Sequence, residues 1–308
     1  MTADRRVLCI GLTPALQRIL HFHQLTIGQV NRATRQLFSP AGKACNAART
    51  LACLGREPLL LGFNGGSSGQ ALAAQLDAIS VPHDFIRITE DTRTCTTVID
   101  QRTGEITELV EEAPWPGPDA VDALVASIRR HAHTAAAALI CGALPPNADP
   151  MTYAQLVRHL HGAGLPVFID TCGAPFRHVR AEQPLFLKLN HDEQLKTEAC
   201  AEQEFARHTL EAGASWLLVT NGKHTATVYG ADGATRFQPP VIVEKNSVGS
   251  GDATLAGTVH AWLDGAPMPA AVRFGLACGT ANALTDLPGQ LEPAVAAQLL
   301  EQVKEERA

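Results

Sequence analysis

Short apolar runs alternate along this chain with longer stretches in which apolar residues recur at helical spacing. Apolar runs of this kind are typical of strands buried on both faces, and strands that alternate with helices are typical of a mainly parallel sheet. The predicted strands are Val7–Leu12, Pro58–Phe63, Ala137–Cys141, Val167–Asp170, Leu185–Leu189 and Trp216–Thr220, and the predicted helices include Ala44–Leu54, Gly69–Ile79, Ala120–His131 and Met151–Gly162. We therefore expect one α/β domain over residues 1–308, with helices on both faces of a mainly parallel central sheet.

Two stretches depart from this pattern. Residues 13–40 and 84–112 alternate polar and apolar side chains with a period of two, as in Thr94–Ile99, which predicts strands outside the main sheet. These strands are expected to form a small β-sheet lid. A small sheet must cover one of its faces with a ligand or a second subunit, so we predict a homodimer through the lid. The segment 252–307 is predicted to be almost entirely helical.

The composition excludes several kinds of partner. Lys and Arg number 25 against 31 Asp and Glu, so no basic surface for nucleic acid is expected. No apolar run approaches the roughly 18 residues of a membrane span, so no membrane association is expected. The 8 cysteines are widely separated and form no metal-binding pattern. They are typical of free thiols in a reducing compartment, and we expect a cytoplasmic protein.

The most informative local motif is Gly249-Ser250-Gly251-Asp252, which precedes the helical pattern Leu255–Leu263. Small residues before a helix allow backbone N–H groups to converge on an anion at the positive end of the helix dipole. Asp252 in the first turn could take the proton of a substrate hydroxyl that is directed at the same anion. A base beside an anion hole is the minimum requirement for phosphoryl transfer. Taken alone, the motif is explained equally well as a helix cap.

Other phosphate-binding signatures are missing from the sequence. There is no G-x-x-x-x-G-K-[ST] motif of a P-loop enzyme, and the first predicted strand is not followed by the G-x-G-x-x-G of a nicotinamide dehydrogenase. A second turn, Gly42-Lys43 with Asn46, leads into a helix and could contact a ligand. In isolation, a lysine in such a turn is more often solvated.

Motifs spread over residues 1–290 occur in a recognisable order. They are Gly42-Lys43 with Asn46, Gly65-Gly66 with Gly69, Thr92-Arg93, Leu144-Pro145-Pro146, Lys188-Leu189-Asn190 with Glu193, Thr220-Asn221-Gly222, and Gly249-Ser250-Gly251-Asp252. This order resembles the ribokinase-like PfkB carbohydrate kinases, and within them the phosphosugar branch of 1-phosphofructokinase and tagatose-6-phosphate kinase. The whole set is far more specific than any one motif, so it favours a functional role for Asp252 over a helix cap.

The resemblance implies ATP and Mg²⁺ as cofactors and a sugar phosphate as substrate, of the fructose 1-phosphate, tagatose 6-phosphate or fructose 6-phosphate type. It implies that Asp252 is the general base and that the backbone of Gly249, Ser250 and Gly251 forms the anion hole. Asn190 and Glu193 match the element that holds magnesium, often through water. The implied nucleotide contacts are Lys188, Thr220, Asn221, Gly222, Gly251, Cys278, Gly279 and Asn282.

The sugar side matches the family less closely. The implied substrate contacts are Gln17, Gly42, Lys43, Asn46, Arg93 and Asp252. Arg93 matches an arginine that grips phosphate, a task for which the planar guanidinium is suited. Gln17, however, is an amide where the family has a carboxylate that binds sugar hydroxyls. Further departures are Ala41, Ala44, Cys95 and Ala143.

These departures leave two alternatives open. One is a kinase of an unphosphorylated sugar or nucleoside, and the other is a catalytically weak protein that binds a sugar phosphate. The sequence does not decide between the sugar phosphates named above or between their hydroxyls.

Overall fold

The computed structural model describes residues 6–307. Its strands are β1 (Arg6–Gly11), β2 (Ala15–Phe22), β3 (Arg35–Ala41), β4 (Glu57–Gly65), β5 (His83–Ile88), β6 (Thr94–Asp100), β7 (Ile106–Val110), β8 (Ala137–Cys141), β9 (Val167–Asp170), β10 (Phe186–Asn190), β11 (Trp216–Thr220), β12 (Ala226–Gly230), β13 (Gly233–Gln238) and β14 (Lys304–Arg307). Its α-helices are α1 (Lys43–Cys53), α2 (Gly66–Ala78), α3 (Pro118–Ala132), α4 (Thr152–Gly162), α5 (Gly173–Val179), α6 (His191–Thr197), α7 (Glu202–Glu211), α8 (Ser250–Leu263), α9 (Met268–Ala283) and α10 (Pro293–Leu300). No helix within residues 6–307 has the length and apolar character needed to cross a membrane.

The main sheet has ten strands in the order β14-β13-β12-β11-β10-β9-β8-β1-β4-β5. The strands from β11 to β5 run parallel, and β12, β13 and β14 extend the sheet antiparallel at one end. All of the strands predicted from apolar runs lie in this parallel part. The predicted α/β class with a mainly parallel central sheet is therefore confirmed.

The core lies on both faces of the main sheet, because successive side chains of a strand point in opposite directions. Cys9 of β1 packs on the face covered by α1, α2, α8 and α9. Its neighbour Leu8 packs on the other face, which α3, α4, α5 and α7 cover. Both side chains are fully buried. Burial on two faces explains why these strands appear in the sequence as unbroken apolar runs.

A separate sheet has four strands in the order β3-β2-β6-β7, which confirms the predicted small sheet. The predicted range 84–112 is wrong at its start, however, because β5 pairs parallel with β4 at the edge of the main sheet. Most residues of β5 are only half-buried. An edge strand that is covered incompletely shows the same alternation as a lid strand, which explains the misassignment.

The prediction of helix to the end of the segment 252–307 is also wrong. Helices α8, α9 and α10 occupy most of it, but β14 follows them and pairs antiparallel with β13. The sequence of β14 is Lys-Glu-Glu-Arg, which contains no apolar residue. Charged residues are common on edge strands because they discourage pairing with other chains, and they leave no hydrophobic pattern to detect.

Candidate active site

A buried carboxylate connects the elements at the carboxyl edge of the main sheet. Asp170 ends β9, its side chain is fully buried, and its Oδ1 accepts a hydrogen bond from Lys43 Nζ at 2.6 Å. Its Oδ2 accepts a hydrogen bond from Lys188 Nζ, on the neighbouring strand β10. Burial alone would raise the pKa of Asp170, but the charges of Lys188 and Lys43 outweigh it and lower the pKa below its ordinary value. Asp170 is therefore an ionised group that forms ion pairs with two lysines.

Asp252 lies in the first turn of α8, as predicted, and is only 6% exposed. Its Oδ2 accepts a hydrogen bond from Asn46 Nδ2 at 2.8 Å. Burial, followed by the charge of Asp170, raises the pKa of Asp252 to about 7, although Lys43, Asn46 and Lys188 act in the opposite direction. A carboxylate with this pKa is matched to proton transfer near neutral pH.

The turn before Asp252 has the geometry expected of an anion-binding loop. Gly249 has a φ of 82°, in the left-handed region, and a β-carbon on it would lie 2.9 Å from the backbone nitrogen of Gly289. A β-carbon on Gly251 would lie 3.0 Å from Lys188 Nζ. Ser250 and Gly251 are partly exposed. The partly exposed start of α8, which is its positive end, thus lies against the largely buried Lys188 ammonium.

Asn190 and Glu193 form a capping box at the start of α6. Asn190 Oδ1 accepts a hydrogen bond from the Glu193 nitrogen at 2.8 Å, and Glu193 Oε2 accepts one from the Asn190 nitrogen at 2.9 Å. Glu193 Oε1 pairs with Lys43 Nζ at 2.9 Å, and the Glu193 side chain is 18% exposed. A carboxylate and an amide oxygen fit a hard divalent cation that keeps part of its water shell.

Unpartnered polar atoms are concentrated on the predicted sugar side. Within residues 6–307, the buried side-chain atoms without a hydrogen-bond partner are Gln17 Oε1, Asn46 Oδ1, Arg93 Nε and Gln194 Oε1. All but Gln194 belong to predicted sugar contacts. Buried polar atoms in proteins almost always have partners, so the polar groups of a ligand could complete the hydrogen bonding of these three.

Other polar atoms of Gln17 and Arg93 form hydrogen bonds in and beside the lid. Gln17 Nε2 donates to Thr97 Oγ1 at 2.7 Å, which joins β2 to β6. Arg93 Nη2 donates to the Thr13 carbonyl at 2.9 Å, and Arg93 Nη1 donates to the Glu111 carbonyl at 3.1 Å. The Arg93 guanidinium is thus held at the base of the lid by backbone carbonyls, and a phosphate would have to share it with them.

The predicted nucleotide residues divide into two groups. Asn221 and Gly222 are exposed directly after β11, at the carboxyl edge of the sheet where ligands of such folds bind. Cys278 and Asn282 are fully buried. Asn282 Oδ1 accepts a hydrogen bond from Ser250 Oγ at 3.3 Å, so α9 supports the first turn of α8.

Gly279 belongs to the same buried contact, since a β-carbon on it would lie 2.7 Å from the Ser250 carbonyl oxygen. Thr220 ends β11 and donates weakly to the Leu189 carbonyl at 3.5 Å. Direct contact of Thr220, Cys278, Gly279 or Asn282 with a nucleotide stays a prediction.

Asp170, which pairs with Lys43 and Lys188, is not among the site residues predicted from the sequence. It was placed only as the last residue of a predicted strand. The available indication was that a carboxylate ends an otherwise apolar strand, at the edge of a parallel sheet where ligand sites are found. Its two lysine partners are 127 and 18 residues away in sequence and could not be paired with it beforehand.

Comparisons with known proteins agree with this geometry. The sequence profile described as pfkB family carbohydrate kinase matches residues 4–293. Phosphofructokinase-2 from Escherichia coli, in complex with fructose-6-phosphate, superimposes with a TM-score of 0.86 at 21% identity, covering 97% of this chain and 99% of that one. A Thermotoga maritima protein described as a possible 1-phosphofructokinase superimposes with a TM-score of 0.88 at 21% identity, covering 98% of this chain and 99% of that one. A carbohydrate kinase from Agrobacterium tumefaciens superimposes with a TM-score of 0.76 at 18% identity, covering 98% of this chain and 99% of that one. At these identities the structural matches establish a shared fold.

Proposed function

This chain belongs to the pfkB family of carbohydrate kinases, and on that premise we propose that it transfers the terminal phosphoryl group of ATP to a hydroxyl of a sugar phosphate. The observation that carries the proposal is the position of Asp252 in the first turn of α8, where its carboxylate accepts a hydrogen bond from Asn46. Lys188 lies against Gly251 in the same turn. A base, a cation and backbone N–H groups therefore meet at one point, as phosphoryl transfer requires.

In the proposed reaction, Asp252 Oδ1 accepts the proton of the substrate hydroxyl while Asn46 holds Oδ2. The hydroxyl oxygen forms a bond to the terminal phosphorus as the bond from that phosphorus to the bridging oxygen breaks, and ADP leaves. Lys188 and the N–H groups at the start of α8 offset the negative charge that develops. Mg²⁺, when bound, neutralises phosphate charge, and Asn190 and Glu193 would hold it.

The three unpartnered atoms on the sugar side support a sugar phosphate as the substrate. Gln17 Oε1 and Asn46 Oδ1 are acceptors, and a sugar hydroxyl is a donor that satisfies an acceptor. Arg93 Nε is a cationic donor, which a phosphate oxygen satisfies. The complex of Escherichia coli phosphofructokinase-2 with fructose-6-phosphate is consistent with a substrate of the fructose 6-phosphate, fructose 1-phosphate or tagatose 6-phosphate type.

The substrate class is tested by measuring ADP release with these sugar phosphates and with the matching unphosphorylated sugars. We expect turnover with a phosphorylated sugar. Arg93→Ala is expected to raise the KM for it by about 10-fold to 100-fold, since hydrogen bonds to charged groups contribute about 1.5–3 kcal/mol. Arg87→Ala on β5, an exposed arginine, is the matched control and should leave KM unchanged.

Other outcomes would favour the alternatives. Faster turnover of an unphosphorylated sugar, with KM insensitive to Arg93→Ala, would indicate a kinase of a neutral sugar or nucleoside. Measurable binding of sugar phosphates without ADP release from ATP would indicate a binding protein that has lost turnover.

The pH dependence of kcat/KM is expected to show an acid limb near the pKa of Asp252. The general base must be ionised to accept a proton, so the rate should rise with pH until it levels off above about 7. The measurement is a profile of kcat/KM between about pH 5 and about pH 9 for the sugar phosphate that is turned over best. A limb near about 4, the ordinary value for a carboxyl group, would contradict the raised pKa of Asp252.

A homodimer through the lid remains part of the proposal, and the exposed side chains of β7 support it. Leu109 and Val110 are 58% and 57% exposed, and every residue of this edge strand is exposed. Light scattering at micromolar concentration should give the mass of a dimer, and Leu109→Glu should give a monomer because it places a charge in the interface. Leu195→Glu on α6, at a leucine that is 45% exposed, is the control and should remain dimeric. A monomeric wild-type protein would contradict the proposal.

A further inference from the structure

A cavity of about 730 Å³ lies at the amino edge of the main sheet, where β1 and β4 begin. Arg6 and Glu57, the first residues of these strands, line it together with the last turn of α1. Asp252 and Asp170 lie at the carboxyl edge, where ligands of parallel sheets normally bind. The cavity is therefore separate from the candidate active site.

The charges around the cavity are mostly positive. Four of its lining side chains are arginine or histidine, namely Arg6, Arg49, Arg56 and His131, and Glu57 is the one carboxylate among the described lining residues. Three of the four have a carboxylate partner: Arg6 pairs with Glu57, Arg56 with Asp264, and His131 with Asp84. No ion pair joins Arg49 to any carboxylate of the described chain.

Arg49 is only 7% exposed, and its hydrogen bonds go to neutral groups. Nη1 donates to Ser39 Oγ at 3.0 Å and to the Pro288 carbonyl at 2.8 Å. Burial lowers the pKa of Arg49, which reflects the cost of removing its charge from water. A buried cation without a counter-charge is unfavourable, so an anion that enters beside Arg49 would lower the free energy of this region.

The rest of the lining is largely apolar and includes Ala52, Leu59 and Val81. The volume falls within the roughly 300–1,000 Å³ that is typical of small-molecule sites. We propose that this cavity binds a small amphipathic anion, whose carboxylate or phosphate monoester pairs with Arg49 and whose apolar body packs on Leu59 and Val81.

The cavity is connected to the anion hole by the loop 287–290. Leu287 and Gln290 line the cavity. Between them, the Pro288 carbonyl accepts the hydrogen bond from Arg49. Gly289 lies against Gly249, because a β-carbon on Gly249 would be 2.9 Å from the Gly289 nitrogen. A ligand that repositions Arg49 therefore acts on the loop that supports the first turn of α8. This link to turnover rests on the proposed kinase function, whereas binding in the cavity does not.

Isothermal titration calorimetry of the full chain, saturated with ADP, tests the binding. The probes are phenylbutyrate, phenyl phosphate and the neutral phenylbutanol. The first two show whether a carboxylate or a phosphate is bound, and the alcohol shows how tightly an uncharged molecule binds. We expect at least one anion to bind, and to bind about tenfold or more tightly than the alcohol, because a charge-assisted hydrogen bond contributes about 1.5–3 kcal/mol. No binding of either anion, or equal binding of the alcohol, would overturn the proposal.

Three variants test whether the probe binds in the cavity. Arg49→Met should weaken anion binding by about tenfold or more. Arg49 also donates hydrogen bonds to Ser39 and Pro288, so replacing it changes the local structure as well as the charge. Ala52→Trp is therefore a second variant, which fills the cavity without removing a charge and should abolish binding. Ala74→Trp, at an exposed alanine of α2 outside the cavity, should bind like the wild type. Wild-type affinity in Ala52→Trp would overturn the assignment.

The link to the active site is measured by ADP release with and without the bound anion. We expect the KM for ATP to change by about fivefold or more in the wild type and in Ala74→Trp, and to be unaffected by the anion in Ala52→Trp. Binding without any change in KM would overturn the link. Turnover without the anion tests the proposed function separately, so the two failures are distinguishable.

Discussion

Replacing Asp252 with asparagine is expected to lower kcat by roughly a hundredfold to ten-thousandfold, the usual contribution of a general base. Asparagine keeps an oxygen that can accept the hydrogen bond from Asn46 Nδ2, so the first turn of α8 should keep its geometry. It cannot accept the proton of a substrate hydroxyl. The measurement is steady-state turnover with ATP and the best sugar phosphate, with Asp232→Asn at an exposed turn as the control. A kcat close to that of the wild type would remove Asp252 from the role of base.

The same variant is expected to keep or gain thermal stability above neutral pH. The pKa of Asp252 is raised in the folded protein, so its contribution to stability is present below the unfolded value of about 3.9 and is lost as pH rises through about 7. Above that range the buried carboxylate is ionised near Asp170, which is unfavourable, and asparagine removes this cost. The thermal midpoint measured at about pH 8 should therefore not fall. A clear fall would show that the charge of Asp252 stabilises the fold.

The parts of the fold that depend on local sequence were predictable. Three strands, Ala137–Cys141, Val167–Asp170 and Trp216–Thr220, have the predicted bounds because burial on both faces leaves an apolar run that begins and ends with the strand. The position of Asp252 in a first helical turn was predictable for a similar reason. Glycines before an apolar helical pattern mark a helix start, whatever the rest of the chain does.

The connections between distant residues were not predictable from these patterns. The hydrogen bond between Asn46 and Asp252 joins residues 206 positions apart, and that between Lys43 and Asp170 joins residues 127 positions apart. Such pairs are set by the order of strands in the sheet, which no local pattern specifies. The same limit applies to β14, which is a strand only because β13 offers it an edge.

Replacing Asp170 with asparagine is expected to destabilise the protein by about 3–5 kcal/mol, because it removes one partner of a buried ion pair. Lys188 is only 3% exposed and would then be a buried cation without an ion-pair partner among the described residues. Lys43 is less affected, since Glu193 remains 2.9 Å from its Nζ. The measurement is unfolding in urea, followed by circular dichroism. The charge of Asp170 also raises the pKa of Asp252, so the acid limb of kcat/KM should move to lower pH.

The double variant Asp170→Asn with Lys188→Met separates stability from catalysis. It removes the unpaired cation together with its former partner, so we expect it to regain most of the lost free energy of unfolding. It should not regain turnover, because the Lys188 ammonium beside Gly251 is proposed to offset charge on the transferred phosphoryl group. A loss below about 1 kcal/mol in Asp170→Asn would be typical of an exposed ion pair and would contradict a buried network. Full turnover in the double variant would instead mean that the charge on the phosphoryl group is offset by the α8 N–H groups and the metal, without Lys188.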